Sequence, residues 1–304
     1  MCTSQATYPS GTYEVPHVTD RALHNFVDTT IFMLHCNNYP LVEFPAQSET
    51  LRAYKPKAGC LMGSERQLTH LEHTENARCN RCALHALCLP GIAGSIQSSF
   101  GPVVSDDLIL SKGQTLYESG DTAEDLYVVK SGAFKIMTPL CGHDAHVSGF
   151  RLPGDLVGAC GLTCGQYAFT AYALDRSTVC RLPIERFRDA SLLQPSLMQG
   201  LLQALSNQAA QAQRQITRTN LPALARLSLF IKDLSSHHKK RSLSAVEFEL
   251  PMPRTDIADF LALAPETISR LIKTLGQENI LTIEGKTVHI HNMDALERAC
   301  ETMV

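Results

Sequence analysis

At Pro195 the hydrophobic pattern of this chain changes its period, and that change constrains the fold more than any other feature. Upstream, from about residue 100 to 185, short β-branched or aromatic runs are separated by glycine-containing turns. The runs are Leu108 to Leu110, Leu126 to Val129, Ala133 to Met137, Val147 to Leu152 and Ser177 to Leu182; the turns are Lys112-Gly113, Ser119-Gly120-Asp121, Ser131-Gly132, Cys141-Gly142 and Pro153-Gly154-Asp155. Several short strands at this spacing predict an antiparallel roll or barrel. Downstream, Met198, Leu201, Leu202, Leu205, Ala209, Ala212 and Ile216 recur every three or four residues, which predicts a helix of about 20 residues carrying one narrow apolar seam. A seam that narrow suits a helix paired with its own copy; one stripe of a monomer's core helix is the alternative. No Asp or Glu lies between Asp189 and Asp233, so two such helices would meet without carboxylate repulsion.

From residue 221 the elements follow a recognisable order. Pro222 to Leu234 predicts a supporting helix and Phe248-Glu249-Leu250 a strand. Thr255 to Leu261 predicts a short helix opened by an N-cap, Ala262-Leu263-Ala264 a turn, and Pro265 the start of a second helix reaching about Gly276. Ile280 to Ile283 and Thr287 to Ile290, joined at Glu284-Gly285, predict a hairpin. Helix, turn, helix and hairpin make a winged helix-turn-helix. The fold class is therefore α+β, divided into an irregular extension (1–78), a cysteine clasp with a β-roll (79–185), a dimerisation helix (186–220) and a winged helix-turn-helix (221–304). Met62 offers a second translation start inside the extension.

Composition narrows the function classes. The hydrophobic share of 44% over 304 residues is that of a globular protein with room for two cores. No run reaches the roughly 18 apolar residues of a membrane span, and the first residues lack a secretory leader, which places the chain in a reducing cytoplasm. Eleven irregularly spaced cysteines there point to metal binding, reactive thiols or small core residues rather than disulfides. Gly-rich phosphate loops and paired catalytic carboxylates are missing, so the chain reads as a non-enzyme. A net charge of −3 gives no global attraction to nucleic acid, so DNA contact has to come from local groups.

Two motifs supply those local groups. On the second helix of the C-terminal unit, Glu266, Ser269 and Arg270 share one face near the amino-terminal end. Arg270 can fork onto guanine, Glu266 can accept from a base amino group, and Ser269 can serve either. Thr267 and Lys273 flank them, and Arg254, Lys286 and Lys239-Lys240-Arg241 are phosphate-contact candidates. A solvated face with an intrahelical Glu–Arg pair is the bland alternative. With ten Lys/Arg against eleven Asp/Glu from 221 onward, nonspecific phosphate attraction is modest. The second motif is Cys79-x-x-Cys82-x-x-x-x-x-Cys88. Three close thiolates suit soft metals and need one more ligand: zinc would take His85 or His73, and an iron–sulfur cluster a further cysteine. Structural cysteines unrelated to metal remain open on spacing alone.

From about residue 79 to 296 the chain resembles the oxygen-responsive FNR branch of the cyclic-AMP receptor protein (CRP/FNR) superfamily. The resemblance rests on the cysteine triplet, Lys112-Gly113-Gln114-Thr115-Leu116, Gly149-Phe150-x-Leu152-x-Gly154-Asp155-Leu156-Val157-Gly158, Val179-Cys180-x-x-Pro183 and Glu266-Thr267-Ile268-Ser269-Arg270. It implies a homodimeric transcription regulator with a cyclic-nucleotide-binding-like roll, RNA polymerase as a partner, and TTGAT-like half-sites in a palindrome. It also implies a [4Fe-4S] cluster on Cys79, Cys82, Cys88 and the distant Cys180, with Leu87 as its apolar shield. Zinc-stapled, constitutive DNA binding is the alternative. Where cyclic-nucleotide members carry a carboxylate and an Arg-Ser or Arg-Thr pair, this chain has Ala159 and Phe169-Thr170, so a cyclic nucleotide is not expected. Where oxygen sensors carry an acidic residue on the dimer helix, this chain has Ala212 and glutamines, which implies dimerisation less dependent on the cluster. Cys160 and Cys164, four residues apart around a turn, are a minor candidate for a second thiol sensor.

Overall fold

The computed structural model describes residues 82–85, 87–89, 91, 97–98, 101–140 and 143–301. The readings for residues 1–78, Cys79 and the Cys141-Gly142 turn lie outside them.

A two-stranded ribbon, β1 (Gln97–Ser98) and β2 (Gly101–Pro102), leads into the roll. The roll's strands are β3 (Asp107–Leu110), β4 (Thr115–Tyr117), β5 (Asp125–Ser131), β6 (Phe134–Leu140), β7 (His143–Arg151), β8 (Leu156–Val157), β9 (Thr170–Ala173) and β10 (Ser177–Pro183). They form two antiparallel four-stranded sheets, ordered β3-β10-β5-β8 and β4-β9-β6-β7. The strand runs read from sequence fall in β3, β5, β6, β7 and β10. Strands β4, β8 and β9 have two to four residues each, too short for periodicity to mark; they exist because longer neighbours pair with them.

One glycine fixes the entry to the roll. At Gly91 a Cβ would sit 1.7 Å from the His85 carbonyl oxygen, so any side chain there would push apart the segment that carries Cys82, His85 and Cys88.

A short helix α1 (Gly161–Cys164) caps the roll, and α2 (Ile184–Leu193) turns Ile184, Phe187 and Ala190 inward. Helix α3 (Pro195–Arg218) starts with proline in its first turn, where the missing N–H costs nothing. Helix α4 (Ala223–Lys240) runs six residues past the Leu234 expected from sequence, because His237, His238 and the two lysines continue the turn at its carboxyl end, where cations complement the macrodipole. The C-terminal unit continues through β11 (Glu247–Glu249), α5 (Arg254–Leu261), α6 (Pro265–Gln277), β12 (Leu281–Glu284), β13 (Thr287–Ile290) and a helix not read from sequence, α7 (Met293–Glu301). Its sheet is ordered β11-β13-β12. The N-cap of α5 is Pro253 and carries no side-chain cap bond, so the expected polar cap at Thr255 is not formed.

The C-terminal unit shares a core with the roll. Ala133, Leu152 and Leu174 of the roll belong to the cluster built from Leu227, Phe230, Ile257, Leu261, Ile268 and Leu281. Phe150 meets Phe260 at 5.2 Å and Phe230 at 6.0 Å. Asp259 accepts the Val147 N–H at 2.7 Å, and Lys135 pairs with Asp256 at 3.0 Å.

Candidate DNA-reading helix and thiol cluster

Helices α5 and α6 meet across a three-residue turn, Ala262 to Ala264. Ala262 closes α5 in the left-handed region (φ 52°), and its N–H returns to the Ala258 and Asp259 carbonyls; a residue with a Cβ holds that conformation at a cost of about 1–2 kcal/mol. Ile268 and Leu275 are fully buried on the inner face of α6, which turns the opposite face to solvent. On that face Glu266, Arg270 and Lys273 are exposed, with Thr267 and Ser269 half-buried. Glu266 in the first turn complements the positive end of the helix. The expected alternative of a Glu266–Arg270 pair is not formed: the Arg270 guanidinium turns to the Thr267 hydroxyl at 3.4 Å. The Ser269 hydroxyl donates to the Pro265 carbonyl and accepts from Arg254 at 3.4 Å, so Arg254 lies beside the reading face.

The other phosphate candidates separate. Lys286, at the tip of the wing, pairs with Asp175 of the roll at 2.8 Å, and Arg241 faces inward against Asp155 at 3.7 Å with a guanidinium lowered by burial. Arg241 is therefore corrected from a phosphate-contact candidate to an internal cation. Lys239 and Lys240 remain on the last turn of α4.

Two of the thiols, Cys88 and Cys180, lie at the other end of α3. Cys180 lies on β10, opposite Asp107 of β3 and Val128 of β5. Cys88 and Cys180 are both buried in one apolar cluster with Val128, Leu156, Leu182, Leu197 and Leu201, although 92 positions separate them (180 − 88). Cys82 is half-buried. Lys130, bound to Asp107, lies close enough to Cys180 and Cys82 for their charges to raise its ammonium, after the hydrogen bond to Asp107 that is the main cause. Among the described residues no three His, Cys, Asp or Glu side chains converge to metal-holding distance; Cys79 is outside that set. The donor chemistry nevertheless fits a soft metal group, since Cys82, Cys88 and Cys180 are thiols outside any disulfide. One further donor lies between Cys82 and Cys88 in the chain: His85 Nδ1 is buried without a hydrogen-bond partner. Leu87 is largely exposed (46%).

Inside the roll, three tyrosines fill the interior. Tyr117 stacks on Tyr167 at 3.8 Å and on Tyr127 at 6.1 Å, and the Tyr167 hydroxyl donates to the Asp125 carbonyl at 2.6 Å. Burial pushes all three phenols up, Tyr167 to about 12. Ala159 is half-buried and Phe169 lies at the surface.

Comparison with known proteins identifies the two domains. Residues 108–192 match the cyclic nucleotide-binding domain family and residues 224–299 the Crp-like helix-turn-helix domain. The chain is 35% identical over 216 residues to "Transcriptional activator protein FnrA" of Stutzerimonas stutzeri, spanning 70% of this chain and 88% of that one. The chain belongs to the FNR-type CRP/FNR regulators. It is also 34% identical to the "Fumarate and nitrate reduction regulatory protein" of Escherichia coli (strain K12), over 72% and 88% of the two chains. The solved structure of FixK2 from Bradyrhizobium japonicum shares the fold, with a TM-score of 0.58 and 23% identity over 66% of this chain and 98% of that one. Membership of this family makes the protein a DNA-binding transcription regulator rather than an enzyme. Among the described residues no helix is long and apolar enough to cross a membrane.

Proposed function

We propose that this protein is a cytoplasmic, oxygen-responsive transcription activator that binds DNA as a homodimer while a [4Fe-4S] cluster is held by Cys79, Cys82, Cys88 and Cys180. The observation that carries the reading is that Cys88 and Cys180, remote in sequence, share one buried wall with Leu197 and Leu201 of α3. When bound, such a cluster supplies an oxygen-labile crosslink among thiolates. Cys88 and Cys180 tie the entry segment and β10 to the wall on which α3 rests, and freeing those thiols loosens the packing that sets the pitch of α3. Met198, Leu202, Leu205, Ala209, Ala212 and Ile216 form the seam between copies. Each recognition helix then presents Glu266, Ser269 and Arg270 to one TTGAT-like half-site, with Thr267, Lys273 and Arg254 beside the phosphates and RNA polymerase recruited next to the bound dimer. Two linked half-sites bind far more tightly than one, so a weakened seam lowers operator affinity. The tyrosine stack and the lack of a cation at Phe169-Thr170 support a roll that works without a cyclic nucleotide.

A second reading, zinc on Cys79, Cys82, Cys88 and His85 with constitutive DNA binding, is favoured by the unpartnered Nδ1 of His85. Fluorescence anisotropy on a palindromic operator separates the two. Anaerobic protein is expected to bind tightly and to lose binding in air, and Arg270→Ala is expected to cost about 1–3 kcal/mol of specific binding. Equal binding before and after air exposure overturns oxygen control and leaves the zinc reading.

A further inference from the structure

A cavity of about 220 Å³ opens where the roll, α3 and the DNA-binding unit meet. Its walls come from Ser148 to Arg151 of β7 and the following Leu152, Gln208 to Arg218 of α3, Phe230 to Lys240 of α4, and Phe260 of α5. Cations outnumber carboxylates around it. Asp233 is already paired with Arg218 at 2.6 Å, and Asp155 with His237 and Arg241. That leaves Arg151, Arg214 and Lys240. Arg214 and Lys240 make no ion pair or hydrogen bond among the described residues, and the Arg151 guanidinium donates only to the neighbouring Phe150 carbonyl, at 2.9 Å. Burial lowers the affinity of Arg151 for its proton, with Asp155 partly opposing; a desolvated guanidinium so placed gains from a bound anion. Gln215 supplies an acceptor as well. Its amide nitrogen donates to the Phe260 carbonyl at 2.6 Å, while its Oε1 is buried and unpartnered.

We infer that this cavity is a binding site for a small hydroxylated oxyanion of the phosphate type, held by Arg151, Arg214 and Lys240 with its hydroxyl donating to Gln215. The three cations come from three separate parts of the molecule: β7 of the roll, α3, and α4 of the DNA-binding unit. An occupant fastens these to one another and fixes the placement of the reading helix relative to α3. Ala212 contributes to the cavity wall and to the proposed seam, so anion binding and dimerisation are linked reciprocally. The site is separate from the thiol cluster and does not depend on it.

The test uses the full chain and inorganic phosphate at constant ionic strength, with sodium chloride as the matched control, read by isothermal titration calorimetry and thermal unfolding. The expected result is a saturable isotherm and, at ten times the Kd, a midpoint raised by about 3–6 °C over chloride. The double variant Arg214→Gln/Lys240→Gln, whose side chains make no ion pair or hydrogen bond among the described residues and whose fold is checked by circular dichroism, is expected to lose at least about tenfold in affinity. Absence of saturable heat and of any shift beyond chloride overturns the site, and so does equal binding by wild type and the double variant.

Discussion

Asp155 shows how much one side chain carries here. Its carboxylate accepts the Leu152 N–H at 2.9 Å inside the roll and faces His237 of α4 at 3.3 Å and Arg241, which caps α4, at 3.7 Å. Burial alone would push Asp155 up, but the His237 hydrogen bond and charge, the Leu152 N–H and Arg151 outweigh it and hold the carboxyl below its usual range. A depressed carboxylate stabilises the folded state above the unfolded value of about 3.9, and that contribution is lost as pH falls through the folded value. Unfolding titrations of wild type and Asp155→Asn are therefore expected to show a gap that is present at neutral pH and narrows below about pH 4. A gap that widens in acid contradicts this role. The motif Gly154-Asp155 was legible in the sequence as a turn. Its bond to α4 was not, because sequence spacing carries no information about which helix packs on a turn 82 residues away.

At the scale of elements, α3 reads in two registers at once. Met198, Leu202, Leu205, Ala209, Ala212 and Ile216 follow alternating steps of four and three, the period of a coiled-coil seam, and Leu202 and Ile216 are 58% and 65% exposed in the single chain. Leu201 was read as part of the same seam, but it turns to the roll with Leu197 and is buried. Gln208 and Gln215 fasten the same flank through the Leu156 and Phe260 carbonyls. Two faces with near-equal spacing overlap on one helix, so periodicity finds the helix and cannot divide its residues between a partner copy and the roll. The division predicts opposite phenotypes. Leu202→Glu is expected to yield a stable monomer by multi-angle light scattering, whereas Leu201→Ala is expected to keep the dimer and lose about 2–5 kcal/mol of stability. A dimeric Leu202→Glu protein would refute the seam. The winged unit was legible almost throughout, since Pro265, Gly285 and the apolar positions of α6 signal it locally. Helix α7 was not, because its amphipathic pattern covers nine residues only.

At the scale of the whole molecule, the roll and the DNA-binding unit are joined by a shared core rather than by a linker. Ala133, Leu152 and Leu174 pack within the DNA-binding core, Asp259 and Asp256 on the reading unit bind Val147 and Lys135 on the roll, and Lys286 anchors the wing to Asp175. None of these cross-contacts has a sequence signal, and the three polar ones each join residues more than a hundred positions apart. The cysteines are a different case: the spacing of Cys79, Cys82 and Cys88 suggested a metal clasp, Cys180 was added only by the family resemblance, and the structure puts Cys88 and Cys180 on one wall. The most direct test of the account is the iron and sulfide content of the protein isolated without oxygen, compared with Cys180→Ala. The wild type is expected to be brown, with about four irons per chain, and the variant to lose most of that iron. Wild-type protein free of iron, or a Cys180→Ala variant that keeps its full complement, would contradict the central claim.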